Sequence, residues 1–170
     1  MSFEFNADEI LAMAEQIERN GARFYRRAAG LVKDPAVSRL LEELAVWEDG
    51  HQKAFASMRH ILKERESQPT TFDPEDETLL YLRAMADGHV FDVRIDPTDK
   101  LTGNESARDI LQMAIGQEKD SIVFYLGIRD MVSEVMGKEK IDEIIREEMH
   151  HIGFLNKEIV ALGSTSQLAG

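Results

Sequence analysis

The chain has 170 residues, with 32 acidic and 20 basic side chains, a net charge of −12, four prolines, no cysteine and 43% apolar residues. That length and apolar fraction suit one folded domain with a real core rather than a disordered chain. Without cysteine there is no disulfide, thiolate zinc site, iron–sulfur cluster or cysteine nucleophile, so any metal must be held by His and carboxylates, and the acidic excess argues against binding a phosphate backbone.

No apolar run approaches the ~20 residues of a membrane span. The opening residues, MSFEFNADEI, carry acids where a secretory signal carries Lys or Arg. The expectation is a soluble cytoplasmic protein with neither nucleic acid nor membrane as partner.

Helical period dominates the chain. Ile10, Ala14, Ile17, Gly21, Phe24, Ala28 and Leu31 advance in steps of four and three, the spacing of one buried helix face. Asn6 and Glu9 read as the capping box of this helix. Asp34-Pro35 opens a second helix whose stripe is Val37, Leu41, Leu44, Glu48, His51, Phe55, Met58 and Leu62. SQPTTFDP then reads as a loop, and Asp73-Pro74 opens a shorter helix to about Asp87. The stretch from Gly88 to Gly103 is irregular, punctuated by Pro97 and Gly103. Helical period resumes near Ser106 and runs to about Val132. A last helix spans roughly Lys138 to Leu162, with Gly163 as its C-terminal cap and STSQLAG as a polar tail.

The two halves repeat at an offset of 100 residues. Ile10-Leu11 matches Ile110-Leu111, Met13-Ala14 matches Met113-Ala114, Phe24-Tyr25 matches Phe124-Tyr125, and the cap recurs as Ser106/Asp109. Similarity among amphipathic helices explains apolar matches, but Glu18/Glu118, Glu43/Glu143, Glu48/Glu148 and His51/His151 recur too. The expected fold is therefore all-α: two repeated helical hairpins, 6–66 and 105–162, pack as a four-helix bundle in one domain. A long crossover, 67–104, carries the short extra helix, and a polar tail covers 163–170.

Six of the repeated polar residues lie within apolar faces and are expected to point into the bundle. Glu18 and Glu118 share faces with Leu11 and Leu111. Glu48 and His51 sit inside the second stripe, and Glu148 and His151 follow Ile141 and Ile144. Four facing carboxylates in a core would hold protons rather than charge unless cations neutralised them. A Glu from each of two helices plus Glu-x-x-His from each of the other two is the ligand pattern already known from di-iron carboxylate bundles. Glu147-x-x-His150 also fits the local spacing, but His151 is the repeat mate of His51. The competing reading is a metal-free helical interaction module with a buried polar network.

Other residues carry weaker signals. His60, His89 and His150 lack repeat mates and read as surface or loop histidines. Tyr25 and Tyr125 lie two turns from Glu18 and Glu118, so each either hydrogen-bonds a ligand carboxylate or simply packs. Trp47 reads as core or interface, the methionines as core filler, and Arg19, Arg23, Arg26 and Arg27 as a solvated helix face.

At Glu18 with Phe24-Tyr25, Glu48-Asp49-Gly50-His51, Glu118-Lys119-Asp120-Ser121 with Phe124-Tyr125, and Glu148-Met149-His150-His151, the sequence resembles the rubrerythrin-like branch of the ferritin-like superfamily. The resemblance implies a non-haem di-iron centre bridged by Glu48 and Glu148. Glu18 and Glu118 would be its terminal carboxylates, and His51 and His151 would each bind one iron. It further implies reduction of hydrogen peroxide or reaction with dioxygen, and a homodimer. Two features depart from the pattern: no cysteine-bearing rubredoxin module is present, and Ser121 stands where rubrerythrin has an extra carboxylate. The expectation is a di-iron oxidoreductase fed by an external electron donor such as a rubredoxin-like protein. Ferroxidase, iron storage or delivery is the alternative. His and carboxylate donors also suit manganese or zinc.

Overall fold

The computed structural model describes residues 7–64, 80–81, 95–132, 134 and 137–168. Four long helices dominate them: α1 (Ala7–Leu31), α2 (Pro35–Glu64), α3 (Ala107–Met131) and α4 (Lys138–Leu168). A short 3-10 turn, η1 (Pro97–Lys100), packs on α1 ahead of α3. The expected cap residue Asn6, the short helix of 73–87 apart from the helical residues 80–81, and His89 lie outside the described residues.

The caps explain where the helices begin. Asp34 Oδ1 accepts hydrogen bonds from the backbone N–H groups of Ala36 and Val37, at 2.9 and 3.1 Å, and so satisfies two donors that the helix itself leaves unpaired. Ser106 and Asp109 form a complete capping box at the start of α3. The turn between α3 and α4 passes through Gly137 at φ 105°, a left-handed conformation that a side chain would strain, and a Cβ there would lie 3.1 Å from Met58 Cε.

The far end of α4 departs from the sequence expectation. The helix runs through Gly163 to Leu168 instead of stopping at Leu162. Gly163 does not adopt the left-handed conformation that makes glycine a terminator. Arg108 donates to Ile159 O, and Ser164 Oγ donates to Val160 O, so side chains serve carbonyls of the last turns.

Within each half the helices form an antiparallel hairpin, and the hairpins meet along α1–α3 and α2–α4. Hydrogen bonds from Tyr25 to Glu118 and from Tyr125 to Glu18 make α1 and α3 antiparallel. Since α1 is antiparallel to both α2 and α3, those two run the same way. The start of α3 therefore lies toward the same end of the bundle as the start of α2, which a helix of that length sets about 45 Å from its own end. This parallel run of α2 and α3 distinguishes the bundle from a simple up-and-down one.

Two apolar clusters fill the interior. One gathers Ile10, Phe55, Phe124, Tyr125, Ile128 and Ile144, and the other Phe24, Tyr25, Leu41, Leu44, Leu111 and Leu155. Each fully buried Phe or Leu contributes about 1.5–3 kcal/mol over its exposed state. Glu15 is a further buried acid that the repeat does not mark. Arg59 Nη1 binds it at 2.8 Å while Arg59 also grips Asp8 at 2.8 and 3.0 Å, clamping α1 to α2. Met149 is exposed, against its expected role as core filler, and Trp47, expected in the core or at an interface, is half exposed and so outside the core; they lie on outward faces of α4 and α2.

Candidate metal centre

Glu18, Glu48, His51, Glu118, Glu148 and His151 are all at most 4% exposed and converge between the two apolar clusters. The stripes explain the convergence. Each residue occupies a core-facing position of its helix, and Glu48/His51 and Glu148/His151 stand one turn apart on α2 and α4.

The donors fall into two interlocked sets. Glu18, Glu48, His51 and Glu148 can each bring one ligand atom to within 4.8 Å of the others, and so can Glu48, Glu118, Glu148 and His151. Glu48 and Glu148 belong to both. His51 Nδ1 lies 3.1 Å from Glu148 Oε1 and 3.4 Å from Glu18 Oε2. His151 Nδ1 lies 2.8 Å from Glu148 Oε2 and 3.5 Å from Glu118 Oε1. The two rings stack at 5.7 Å.

The tyrosines cross over between the halves. Tyr25 of α1 donates to Glu118 of α3, and Tyr125 of α3 donates to Glu18 of α1. Burial, followed by the charge of Glu118 on Tyr25 and of Glu18 on Tyr125, holds both hydroxyls well above the ordinary phenol pKa. They therefore remain donors, each fixing one carboxylate: Glu18 keeps its other oxygen, Oε2, toward His51, whereas Glu118 Oε1 both accepts from Tyr25 and faces His151 Nδ1.

The inward atoms are the informative ones. Glu18 Oε2, Glu48 Oε1, both Glu148 oxygens and the Nδ1 atoms of both histidines are buried without a hydrogen-bond partner among the described residues. Buried polar atoms ordinarily have partners, and leaving one without costs about 1–3 kcal/mol. A whole group of them facing a common centre fits cations as the missing partner. The titration behaviour agrees. Burial raises the Glu48 carboxyl well above its usual range, with Glu18, Glu148 and Glu118 adding repulsion. Burial and then Glu118 and Glu18 push Glu148 up to about 8. Burial opposes charge on the rings, yet the close carboxylates, Glu148 and Glu18 beside His51 and Glu118 and Glu148 beside His151, prevail and push His51 up to about 11 and His151 to about 9. Protons thus take the place that cations would hold, and the donor set fits two metal ions sharing Glu48 and Glu148.

No family model and no curated protein matches this chain. A crystal structure from Thermotoga maritima, provisionally described as that of a ferritin-like diiron-carboxylate protein, does match, with a TM-score of 0.65 over 94% of this chain and 97% of that one, at 21% identity. The fold is ferritin-like. At that identity the likeness shows the fold alone.

Two residues near the centre were not legible as parts of it. Glu147 accepts from His51 Nε2 at 2.6 Å, although by spacing it is merely the chance partner of His150. Its signal is the unlike residue at its repeat position, Trp47. Gly21 is the other. A Cβ there would stand 2.7 Å from Glu48 Oε2 and 3.3 Å from its Cδ, so only glycine leaves this carboxylate its place. Gly21→Ala is expected to leave the metal-free fold as stable or up to about 1 kcal/mol more so, from helix propensity. It is expected to weaken metal binding about 10-fold or more by displacing Glu48. Thermal unfolding without metal and a metal titration read the two effects separately.

Proposed function

We propose that this ferritin-like bundle is a non-haem di-iron oxidoreductase of the rubrerythrin-like kind, reducing hydrogen peroxide or dioxygen. The observation that carries this reading is the sharing of Glu48 and Glu148 by two ligand sets, which suits a carboxylate-bridged pair rather than two isolated ions. Two irons held there supply two electrons and Lewis acidity to an O–O bond.

The chain's own part is positional and electrostatic. Four carboxylates offset the charge of two divalent ions, and His51 and His151 offer Nδ1 lone pairs once deprotonated. Tyr25 and Tyr125 hold their protons on the hydroxyls and orient Glu118 and Glu18. The apolar clusters on either side keep bulk water from the reacting atoms. Electrons come from an external donor such as a rubredoxin-like protein, and the working unit is a homodimer.

Anaerobically reduced, iron-loaded protein mixed rapidly with hydrogen peroxide tests the reaction. Fast reoxidation with many turnovers on added reductant is expected. Accumulation of many irons per chain from added Fe(II), without peroxide turnover, would move the assignment to ferroxidase or iron storage. Elemental analysis of the purified protein decides iron against manganese or zinc.

A further inference from the structure

The centre is nearly symmetric, and the breach that separates its two ligand sets lies at the repeat positions 47 and 147. The inner donors match in pairs: Glu18 with Glu118, His51 with His151, and the Tyr125 bond to Glu18 with the Tyr25 bond to Glu118. The outer nitrogens of the histidines do not match. His51 Nε2 meets the Glu147 carboxylate at 2.6 Å. His151 Nε2 is buried without a hydrogen-bond partner among the described residues, and the Trp47 indole packs edge-to-face on its ring at 5.7 Å.

We propose that Glu147 is a positioning residue that makes the set containing His51 the tighter and first-filled of two unequal metal positions, while Trp47 leaves the set containing His151 the weaker. The inference rests on the dimetal reading of the centre.

The physical reason is the chemistry of imidazole. A carboxylate accepting the Nε2 proton fixes the tautomer whose Nδ1 lone pair faces the metal, and it pushes electron density toward that nitrogen. Indole cannot do this, because its nitrogen is a donor only. Gly21 and its mate Ser121 also differ, but Gly21 faces Glu48, which both positions share. Glu147 is one-third exposed, and outer partners of metal-bound histidines contribute about 10–100-fold in affinity, so the lower end of that range applies. Glu147 and Trp47 together line two surface clefts of about 360 and 300 Å³, one reaching His151 and the other His51. Substitution at either position therefore meets open space rather than packed core.

Titration of the metal-free full-length chain with Co²⁺, followed by calorimetry and by the visible absorption of the bound ion, tests the proposal. The wild type is expected to bind two ions in separate steps. Repulsion between the ions would separate the steps even in a symmetric centre, so the decisive reading is which constant each variant moves. Glu147→Gln should lower the first constant about five-fold, the other position then competing equally for the first ion, whereas with equal positions the untouched one would take the first ion and the first constant would fall no more than about two-fold. Trp47→Glu should raise the second constant and leave the first nearly unchanged. First-step changes of two-fold or less in Glu147→Gln, or equal loss in both steps, overturn the inference while leaving the dimetal reading intact. A wild type that takes up no Co²⁺ overturns both.

Discussion

A chain carrying Glu48→Ala and Glu148→Ala together is expected to bind neither metal ion, whereas Glu18→Ala or Glu118→Ala alone should leave one position occupied. The difference follows from sharing. Glu48 and Glu148 appear in both ligand sets, while Glu18 and Glu118 each appear in one. Losing a terminal carboxylate removes one donor from one position and spares the other. Losing both bridges removes two of four protein donors from each position at once, and with them half of the negative charge that balances two cations. The double variant should still fold. It removes two buried acids whose ionisation the core resists, and that offsets part of the cavity cost of truncation. Metal per chain after dialysis, alongside circular dichroism of the same samples, is the measurement. Two ions retained by a folded double variant would mean that the ligand set is misassigned.

How much of this centre the sequence discloses depends on the kind of constraint each residue obeys. Glu18, Glu48, His51 and their mates are visible because they break an apolar stripe, and break it twice at the same offset. A polar residue repeated inside a core face is hard to explain by packing. The bundle and its hairpin register follow from the same stripes, since Val37, Leu41, Leu44, Phe55, Met58 and Leu62 are all buried as their spacing implies. Glu147 is hidden because it lies beside a stripe on an outward flank of α4, where a glutamate is ordinary. Only the contact with a ring of α2 gives it meaning. Trp47 is ambiguous for the complementary reason: a large aromatic suits a core or an interface, and only its position in the turn of α2, which faces outward and half exposes it, excludes the core. The end of α4 is a contest between local and tertiary terms. Glycine favours a stop at position 163, but Arg108 from α3 and Ser164 serve the carbonyls of the last turns and the helix continues.

Metal ions are expected to stabilise this bundle strongly, and by more as the pH rises. The sign follows from the groups in the core. Glu148 has its pKa raised from 4.5 to about 8, so folding favours its protonated form. Its stabilising contribution is full below about pH 4.5 and is lost as the pH rises toward 8. His51 and His151, raised from 6.5 to about 11 and about 9, stabilise the metal-free fold below their ordinary range and cease to do so only as the pH passes those higher values. The metal-free protein therefore loses stability between pH 5 and 8, chiefly through the buried carboxyls. Metal ions require the deprotonated ligands, so their affinity rises across the same interval and their binding expels protons. At a metal concentration a thousand times Kd, each ion adds about 4 kcal/mol. With about 2–4 °C of Tm per kcal/mol for a chain of this size, two ions raise Tm by roughly 15–30 °C near pH 8. Scanning calorimetry with and without Co²⁺ at pH 5, 6.5 and 8 should show the gap widening at each step. In a weakly buffered titration, added Co²⁺ should acidify the solution. A gap that narrows with rising pH would mean that the ions bind to exposed surface acids, and that the unpaired core atoms of Glu48, Glu148, His51 and His151 are satisfied in some other way.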